Sequence, residues 1–541
     1  MQTGTPQTPR WGMVINLNRC VGCQTCTIAC KQANDTQPDV QWRRVIDAEF
    51  GTYPDVERLF LVVGCQHCAN PPCVPVCPTG ATRQRADGLV TMDYVTCIGC
   101  ASCAAACPYQ ARTIVHQHKW YYGVETPQEA HTRHREREGV AQKCTFCVDR
   151  IDEAMEVGLK PGVDWDVTPA CAASCPTQAI AFGDFNDAAS NVSVLAREKP
   201  NFQMHDELGT DPQIRYLYST PAVPGRSPDD DDERLADPSN CLVGKLQKFW
   251  DWRASMNWCF GGLATGFAIT GWLAYLLGAM PAQALTTVYA GAAILMAIGL
   301  FFVSMKIGRP LRAWRAIMRP QTSWMSRELY MAAVFYAAVL AALIWRHPLA
   351  FNIAGLAAVA FLICQSKILH MAKGVPAWRA PLVPSMIIAT GLLEGFGLVA
   401  MGAYFWQPLQ AIPTAALGIV LVVINAAIWL SYAKSAKKEG IPPLARQAIS
   451  RIGLRLHAVG HVLALIFFVI GATSDAGNLF LAVAGACAIA GGMLLKYSLI
   501  MRAGYQQGYR FGALPQRGSG TRAAPHPMVG RVDNPLVEQH G

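Results

Sequence analysis

Charge is scarce in this 541-residue chain: Asp, Glu, Lys and Arg make up 15% of it, against 52% hydrophobic residues. That balance excludes a wholly disordered polypeptide, which needs many charges and few apolar groups. The opening stretch Met1–Trp11 (MQTGTPQTPRW) has neither an apolar signal core nor a twin arginine. The expectation is therefore a chain that is not exported and meets no oxidising compartment. Beyond Cys175 cysteine is sparse too, with Cys241, Cys259, Cys364 and Cys487 scattered without spacing.

What charge there is falls unevenly. Residues 1–245 hold 22 Lys+Arg and 30 Asp+Glu, the remainder 24 and 7. The two parts are different materials, so the overall net charge of +9 is no sign of nucleic-acid binding, and no nucleic-acid partner is expected.

The cysteines are concentrated, 16 of the 20 lying between Cys20 and Cys175. They form four quartets: Cys20-x2-Cys23-x2-Cys26-x3-Cys30, Cys65-x2-Cys68-x4-Cys73-x3-Cys77-Pro78, Cys97-x2-Cys100-x2-Cys103-x3-Cys107-Pro108 and Cys144-x2-Cys147-x23-Cys171-x3-Cys175-Pro176. The first and third follow the bacterial ferredoxin run, in which three close thiolates cap one cubane and the fourth ligates the neighbouring cluster. Structural zinc would account for Cys144, Cys147, Cys171 and Cys175 alone, but not for the triplets or the Cys-Pro endings. Sixteen ligands give four [4Fe–4S] clusters. A ferredoxin module holds two, so the long gaps suggest one module inserted in another.

On these motifs, residues 10 to about 218 resemble the four-cluster electron-transfer subunit of the molybdopterin oxidoreductases, the dimethyl sulfoxide reductase family. The resemblance implies a pairing in which Cys20, Cys23, Cys26 and Cys175 share one cluster and Cys30, Cys144, Cys147 and Cys171 another. It likewise groups Cys65, Cys68, Cys73 and Cys107, and Cys77, Cys97, Cys100 and Cys103. Lys31 stands after Cys30 where the other quartets have proline, which relaxes a backbone restraint and removes no ligand. His67, inside the second quartet, reads as a donor to a cluster sulfur or as an exposed loop residue; His116, His118, His131 and His134 lie in a polar stretch and read as exposed.

From Ser219 the chain turns proline-rich and acidic (STPAVPGRSPDDDDERLADPSN), a solvated linker. Apolar runs of about 20 residues, long enough to cross a bilayer as helices, then recur eight times, at roughly 257–280, 284–305, 328–346, 350–370, 381–406, 411–433, 453–473 and 478–501. Eight spans return the chain to one side. That side carries 23 Lys and Arg, from Lys248 and Arg253 through Lys496 to Arg531, and the other only Arg346. The positive-inside rule then puts the cluster domain in the cytoplasm, on a multi-pass protein of the inner membrane.

The reading is thus an α+β double ferredoxin-like domain (1–218), a linker (219–245), an all-α eight-helix transmembrane bundle (246–503) and a polar basic tail (504–541). The sequence Gly308-Arg309-Pro310-Leu311-Arg312-Ala313-Trp314, followed by Thr322 to Glu328 (TSWMSRE), resembles the membrane anchor subunit of the same family.

Ionisable groups in lipid are costly and so functional candidates. Glu328, Lys306, His370, His457 and His461 fall near the span ends on the cluster side and are candidates for a quinone site, which needs carbonyl donors and a proton-exchanging group. The resemblance singles out Glu328, which matches an acid of the anchor's quinol site, while Lys306 stands where a histidine is usual. His457 and His461, four apart, could face a quinone, hydrogen-bond between helices, or bind haem b with His370; haem is the least favoured. Glu394 reads as part of a proton path or as a satisfied polar contact. The glycines of GGLATG, GAMPA and AGACAIAGG read as close helix packing.

Function follows from the resemblance. The chain is expected to be a non-catalytic electron-transfer subunit, relaying electrons between a separate molybdopterin-containing catalytic subunit and the membrane quinone pool (ubiquinone or menaquinone). Sulfite oxidation with quinone reduction is the first expectation. Quinol-driven reduction of dimethyl sulfoxide, polysulfide, thiosulfate or tetrathionate is the alternative. A redox-gated transporter, or a scaffold that merely holds a complex at the membrane, would be a different class.

Overall fold

The computed structural model describes residues 8–52, 55–218, 236–405 and 410–509. Most of the acidic linker (219–235) and Arg510, Arg517, Arg522 and Arg531 of the tail lie outside the described residues.

The cysteine-rich part is mostly loop, framed by short strands. Ile180–Asp184, Trp11–Asn16, Ile214–Leu217 and Asn201–Phe202 form one sheet in that order, with Trp11–Asn16 parallel to Ile214–Leu217, so the first and last strands of the domain close it. A long hairpin, Arg43–Thr52 with Asp55–Gly64, fills the gap between the first two quartets. The two-stranded pairs Thr82–Gln84 with Val90–Met92 and Thr113–Val115 with Val140–Gln142 brace the inner quartets. Alternating apolar residues such as Met13, Ile15, Ile214 and Tyr216 point inward and are fully buried, as the two-residue period of a strand requires.

The second part is a bundle of eight long apolar helices, Trp252–Leu276, Ala282–Ser304, Trp324–Trp345, Pro348–His370, Val383–Phe405, Ala411–Ser435, Pro443–Thr473 and Gly477–Met501. These match the eight runs read from the sequence, with two differences. The seventh helix begins about ten residues earlier than its apolar run, at Pro443, and carries a wide turn over His457–Leu463. Both histidines therefore sit within the helix and not at its end. GAMPA is the turn between the first two spans, where Gly278 adopts φ +72°. The other glycines do pack helices: a β-carbon on Gly266 would lie 1.7 Å from the Gly391 carbonyl, and one on Gly485 2.3 Å from that of Gly397.

The bundle and the cysteine-rich domain are clamped together on one side. Arg309 donates to the carbonyls of Glu138 (2.9 Å), Tyr94 (3.1 Å) and Glu136 (2.7 Å), and Arg312 and Arg315 both reach Val95 O. The backbone N–H of Gly374 donates to Ala105 O at 2.9 Å. The first residues of the supposed polar tail join this clamp. Tyr509 is buried, its N–H donating to Leu242 O and its hydroxyl taking a hydrogen bond from Arg44. Its ring finds apolar cover between the domains, so the segment to Tyr509 is structural where a solvated tail was expected.

Candidate metal centres and membrane-edge site

The four cysteine loops share one backbone plan. The residue just before the second cysteine has positive φ in each: Gly22 (+70°), His67 (+43°), Gly99 (+72°) and Phe146 (+58°). Outside glycine that conformation is uncommon. Here it turns backbone N–H groups onto sulfur: Gly99 N lies 3.4 Å from Cys97 Sγ and Phe146 N 3.4 Å from Cys144 Sγ. After the last cysteine the chain curls again, and Ala179 N reaches Cys175 Sγ at 3.2 Å. Converging N–H dipoles of this kind favour thiolate over thiol.

The fold brings the thiols into four groups. Cys175 lies beside Cys20 and Cys26, and with Cys23 these line one cleft at the surface. Cys30 lies against Cys144, Cys147 and Cys171. Cys107 closes on Cys65 and Cys73, which also flank Cys68, while Cys77 closes on Cys97, Cys100 and Cys103. In each group the fourth member comes from another quartet, the exchange that the family resemblance implies.

Two buried guanidiniums sit between these groups. Arg43 has no exposed surface; one nitrogen donates to Met13 Sδ at 3.0 Å, while Nε and Nη1 have no partner. Its neighbours are Cys26 of one group and Cys144 and Cys171 of another. Arg112 donates to Cys73 Sγ at 3.1 Å and lies near Cys103, Cys65 and Cys107. A buried cation with idle N–H groups requires negative charge nearby. Neutral thiols do not supply it, and burial pushes Cys144 and Cys100 up to about 12. Thiolates bound to iron do, so the donor set fits iron–sulfur clusters. Among the described residues no three His, Cys, Asp or Glu side chains converge on a single metal ion.

His67 differs from both expectations. It is fully buried, stacked on Phe146 at 3.8 Å; Nδ1 accepts from Val90 N and Nε2 donates to Cys144 O. Both nitrogens are spent on backbone, so the ring braces the second and fourth loops and leaves sulfur alone. Exposed surface is right for His131, while His118 packs at a tilt on Trp120 and His134 meets Asp35 and Glu136.

At the membrane edge the loop of Cys100 meets the bundle. Trp250 Nε1 donates to Cys100 O at 3.1 Å, and its ring packs on Trp258 (5.2 Å) and stacks on Trp378 (5.5 Å). Trp258 in turn donates to Gln365 O at 3.1 Å. Gln365 and Asn257 both donate to the buried Glu328, Asn257 at 3.2 Å, and Gln365 Nε2 also reaches Asn257 O at 2.7 Å. A small pocket opens beside this path, lined by Val76, Ser102, Trp250, Trp324, Met325 and Ile368 among others.

The five quinone candidates are not drawn into one place. Glu328 sits in the amide cage. Lys306 is buried nearer the clusters, between Asp251, Arg253 and Cys100, and burial pulls its pKa down against the pull of Asp251. His370 ends the fourth span with Nδ1 unpartnered. His457 and His461 contact each other at 2.8 Å, and His461 meets Asn425 Oδ1 at 2.9 Å, with Asn425 donating to Thr390. Both nitrogens of His461 are thus taken by protein groups, the interhelical hydrogen-bonding alternative. Sequence reasoning missed Trp250, Asn257, Gln365, Arg43 and Arg112, and counted Lys496 with the exposed cations of the positive side, although it is fully buried against Glu394. Asn257 and Gln365 carried a signal, being amides within apolar runs.

Residues 56–123 match the family model for a 4Fe-4S dicluster domain, and residues 258–438 that for the DMSO reductase anchor subunit (DmsC). A Halobacterium salinarum protein assigned as the iron-sulfur subunit of a dimethyl sulfoxide reductase is 38% identical over 261 residues, covering 44% of this chain and 94% of that protein. A subunit of the sulfite dehydrogenase of Allochromatium vinosum is 38% identical over 221 residues, 38% of this chain and 81% of its own. A subunit of the tetrathionate reductase of Salmonella typhimurium is 36% identical over 219 residues, 40% and 74% of the two chains.

Proposed function

The chain belongs to the dimethyl sulfoxide reductase family, joining its iron–sulfur electron-transfer subunit and its membrane anchor subunit in one polypeptide, and from that premise we propose that it conducts electrons between a molybdopterin-containing catalytic subunit and the quinone pool. Four [4Fe–4S] clusters, held by the four cysteine groups described above, supply the one-electron chemistry. The chain's own residues set their surroundings. Backbone N–H groups and the guanidiniums of Arg43 and Arg112 balance cluster charge, and burial keeps water from most of the sulfurs, the exposed Cys23 excepted.

The observation that carries the reading is the unbroken contact from Cys100 through Trp250 and Trp258 to Gln365 and Glu328. A cluster ligand, Cys100, is thereby linked to a buried acid in the bundle. Glu328, caged by two amides, is placed to hold or release the proton that accompanies quinone chemistry. The pocket lined by Trp250, Trp324, Met325 and Ile368 gives an apolar slot beside Trp250 on this path.

Charge orientation favours a cytoplasmic cluster domain on the inner membrane, since the bundle's cations crowd the side that meets it. A cytoplasmic catalytic partner suits sulfite oxidation with quinone reduction. The test is paramagnetic resonance on the purified complex. Sulfite should reduce the four clusters and a quinone analogue should reoxidise them. If only quinol reduces them, and an S-oxide, polysulfide, thiosulfate or tetrathionate reoxidises them, electrons run the other way.

A further inference from the structure

Glu394 and Lys496 pair at 2.5 Å inside the bundle, with both side chains at 0% exposure. Two apolar residues would hold helices together as well or better, because desolvating a buried ion pair costs about as much as its attraction returns. An ion pair kept in an apolar bundle therefore calls for a use.

Its surroundings supply one. Glu394 Oε1 has no partner, and both groups pack against glycines, where any side chain would displace them. A β-carbon on Gly492 would lie 2.1 Å from Glu394 Oε1. One on Gly262 would lie 2.1 Å from Lys496 Nζ and 3.8 Å from Gln365 Oε1. The ammonium and this amide oxygen, which is itself buried and unpartnered, thus both lie near the same face of Gly262. Gln365 is the residue that also donates to Glu328. Asn257 Oδ1, on the far side of the cage, is a second idle acceptor. The thiol of Cys259 flanks the pair and faces Met493 O. A line of polar groups thus runs Glu394, Lys496, Gln365, Glu328 through helices that are otherwise apolar.

We infer that Glu394 and Lys496 form an internal proton store that exchanges with Glu328 along the line of polar groups through Gln365. The inference rests on the reading of Glu328 as the acid of a quinone site. Reducing a quinone takes two electrons, which the clusters deliver, and two protons. Glu328 gives one, and Lys496 gives the second, becoming a neutral amine beside the Glu394 carboxylate. The pair then carries one negative charge until a proton returns from the aqueous side. Quinol oxidation runs the same transfers backwards, Lys496 and Glu328 each taking a proton.

The paired variant Glu394→Gln with Lys496→Met removes both charges and keeps the shapes, avoiding an unmatched buried ion. In the whole complex we expect normal cluster reduction by dithionite, normal binding of a quinone analogue and turnover slowed about 10²-fold, the lower range for a lost proton-transfer group. Wild-type turnover in this variant overturns the inference alone. A wild-type complex that passes no electrons to a quinone analogue removes the reading of Glu328 as well. Should the paired variant fail to insert, Glu394→Asp keeps the charge. Redox-driven infrared difference spectra should then show carboxylate bands, from the loss of the ammonium beside residue 394, that shift with this substitution, and unshifted bands overturn the proposal.

Discussion

The indole nitrogen of Trp250 donates to the carbonyl oxygen of Cys100 at 3.1 Å, while the same ring packs on Trp258 and Trp378. One side chain therefore touches a cysteine loop and the helix bundle at once. Trp250→Phe keeps the stacking and loses one hydrogen bond, a cost of about 1 kcal/mol. Trp250→Leu also removes most of the aromatic contact, about 0.5–1.5 kcal/mol per ring pair beyond area. Both variants should keep cluster reduction by dithionite. Reoxidation by a quinone analogue, followed by stopped-flow, should slow slightly in the first and clearly in the second.

The quartets and the eight apolar runs were legible because each rests on a local rule: ligand spacing for Cys20 to Cys175, and bilayer-length hydrophobicity for the spans. The membrane-edge site was less so. Glu328 stood out as a lone acid, but its cage is made by Asn257 and Gln365 from two other helices, and only packing brings them together. Lys496 reads as one more cation near a span end, and only its contact with Glu394 shows it to be buried. Tyr509 looked like tail because its burial depends on Leu242 and Arg44, far away in sequence.

Gly308 and Gly139 meet where the two parts of the chain dock. A β-carbon on Gly308 would lie 2.2 Å from the Gly139 carbonyl oxygen, which is backbone and cannot swing aside. Gly308→Ala should therefore loosen the docking by about 1–3 kcal/mol, the usual cost of overpacking. Limited proteolysis of the membrane-bound protein should release the cysteine-rich domain faster than in the wild type, with the bundle unaffected.

Arg112 gives its group of thiolates a charged hydrogen bond at Cys73. Such a bond is strongest when the cluster is most negative, so it favours the reduced state. Arg112→Met should lower the midpoint potential of the cluster held by Cys65, Cys68, Cys73 and Cys107. A charged hydrogen bond of about 1.5–3 kcal/mol corresponds to about 60–130 mV for one electron. A redox titration monitored by paramagnetic resonance should show one signal displaced by this amount and the others much less.

Removing iron should unmake the cysteine-rich domain and spare the bundle. Its interior holds Arg43 and Arg112, whose charges the thiolates would no longer balance, and its thiols are held by turns with little regular structure of their own. Circular dichroism after chelation should keep the helical signal, while proteolysis of residues below 218 accelerates. Reassembly should depend on pH in a fixed direction. Burial pushes Cys26 and Cys107 up to about 11 and Cys144 and Cys100 up to about 12. As the domain closes around incoming iron these thiols become buried and hold their protons at neutral pH, and iron must displace them. Cluster reconstitution should therefore strengthen as pH rises through the range below 11, approaching tenfold per unit for each proton expelled. A yield that falls between pH 7 and 9, with the protein still soluble, would contradict this account of the thiol environment.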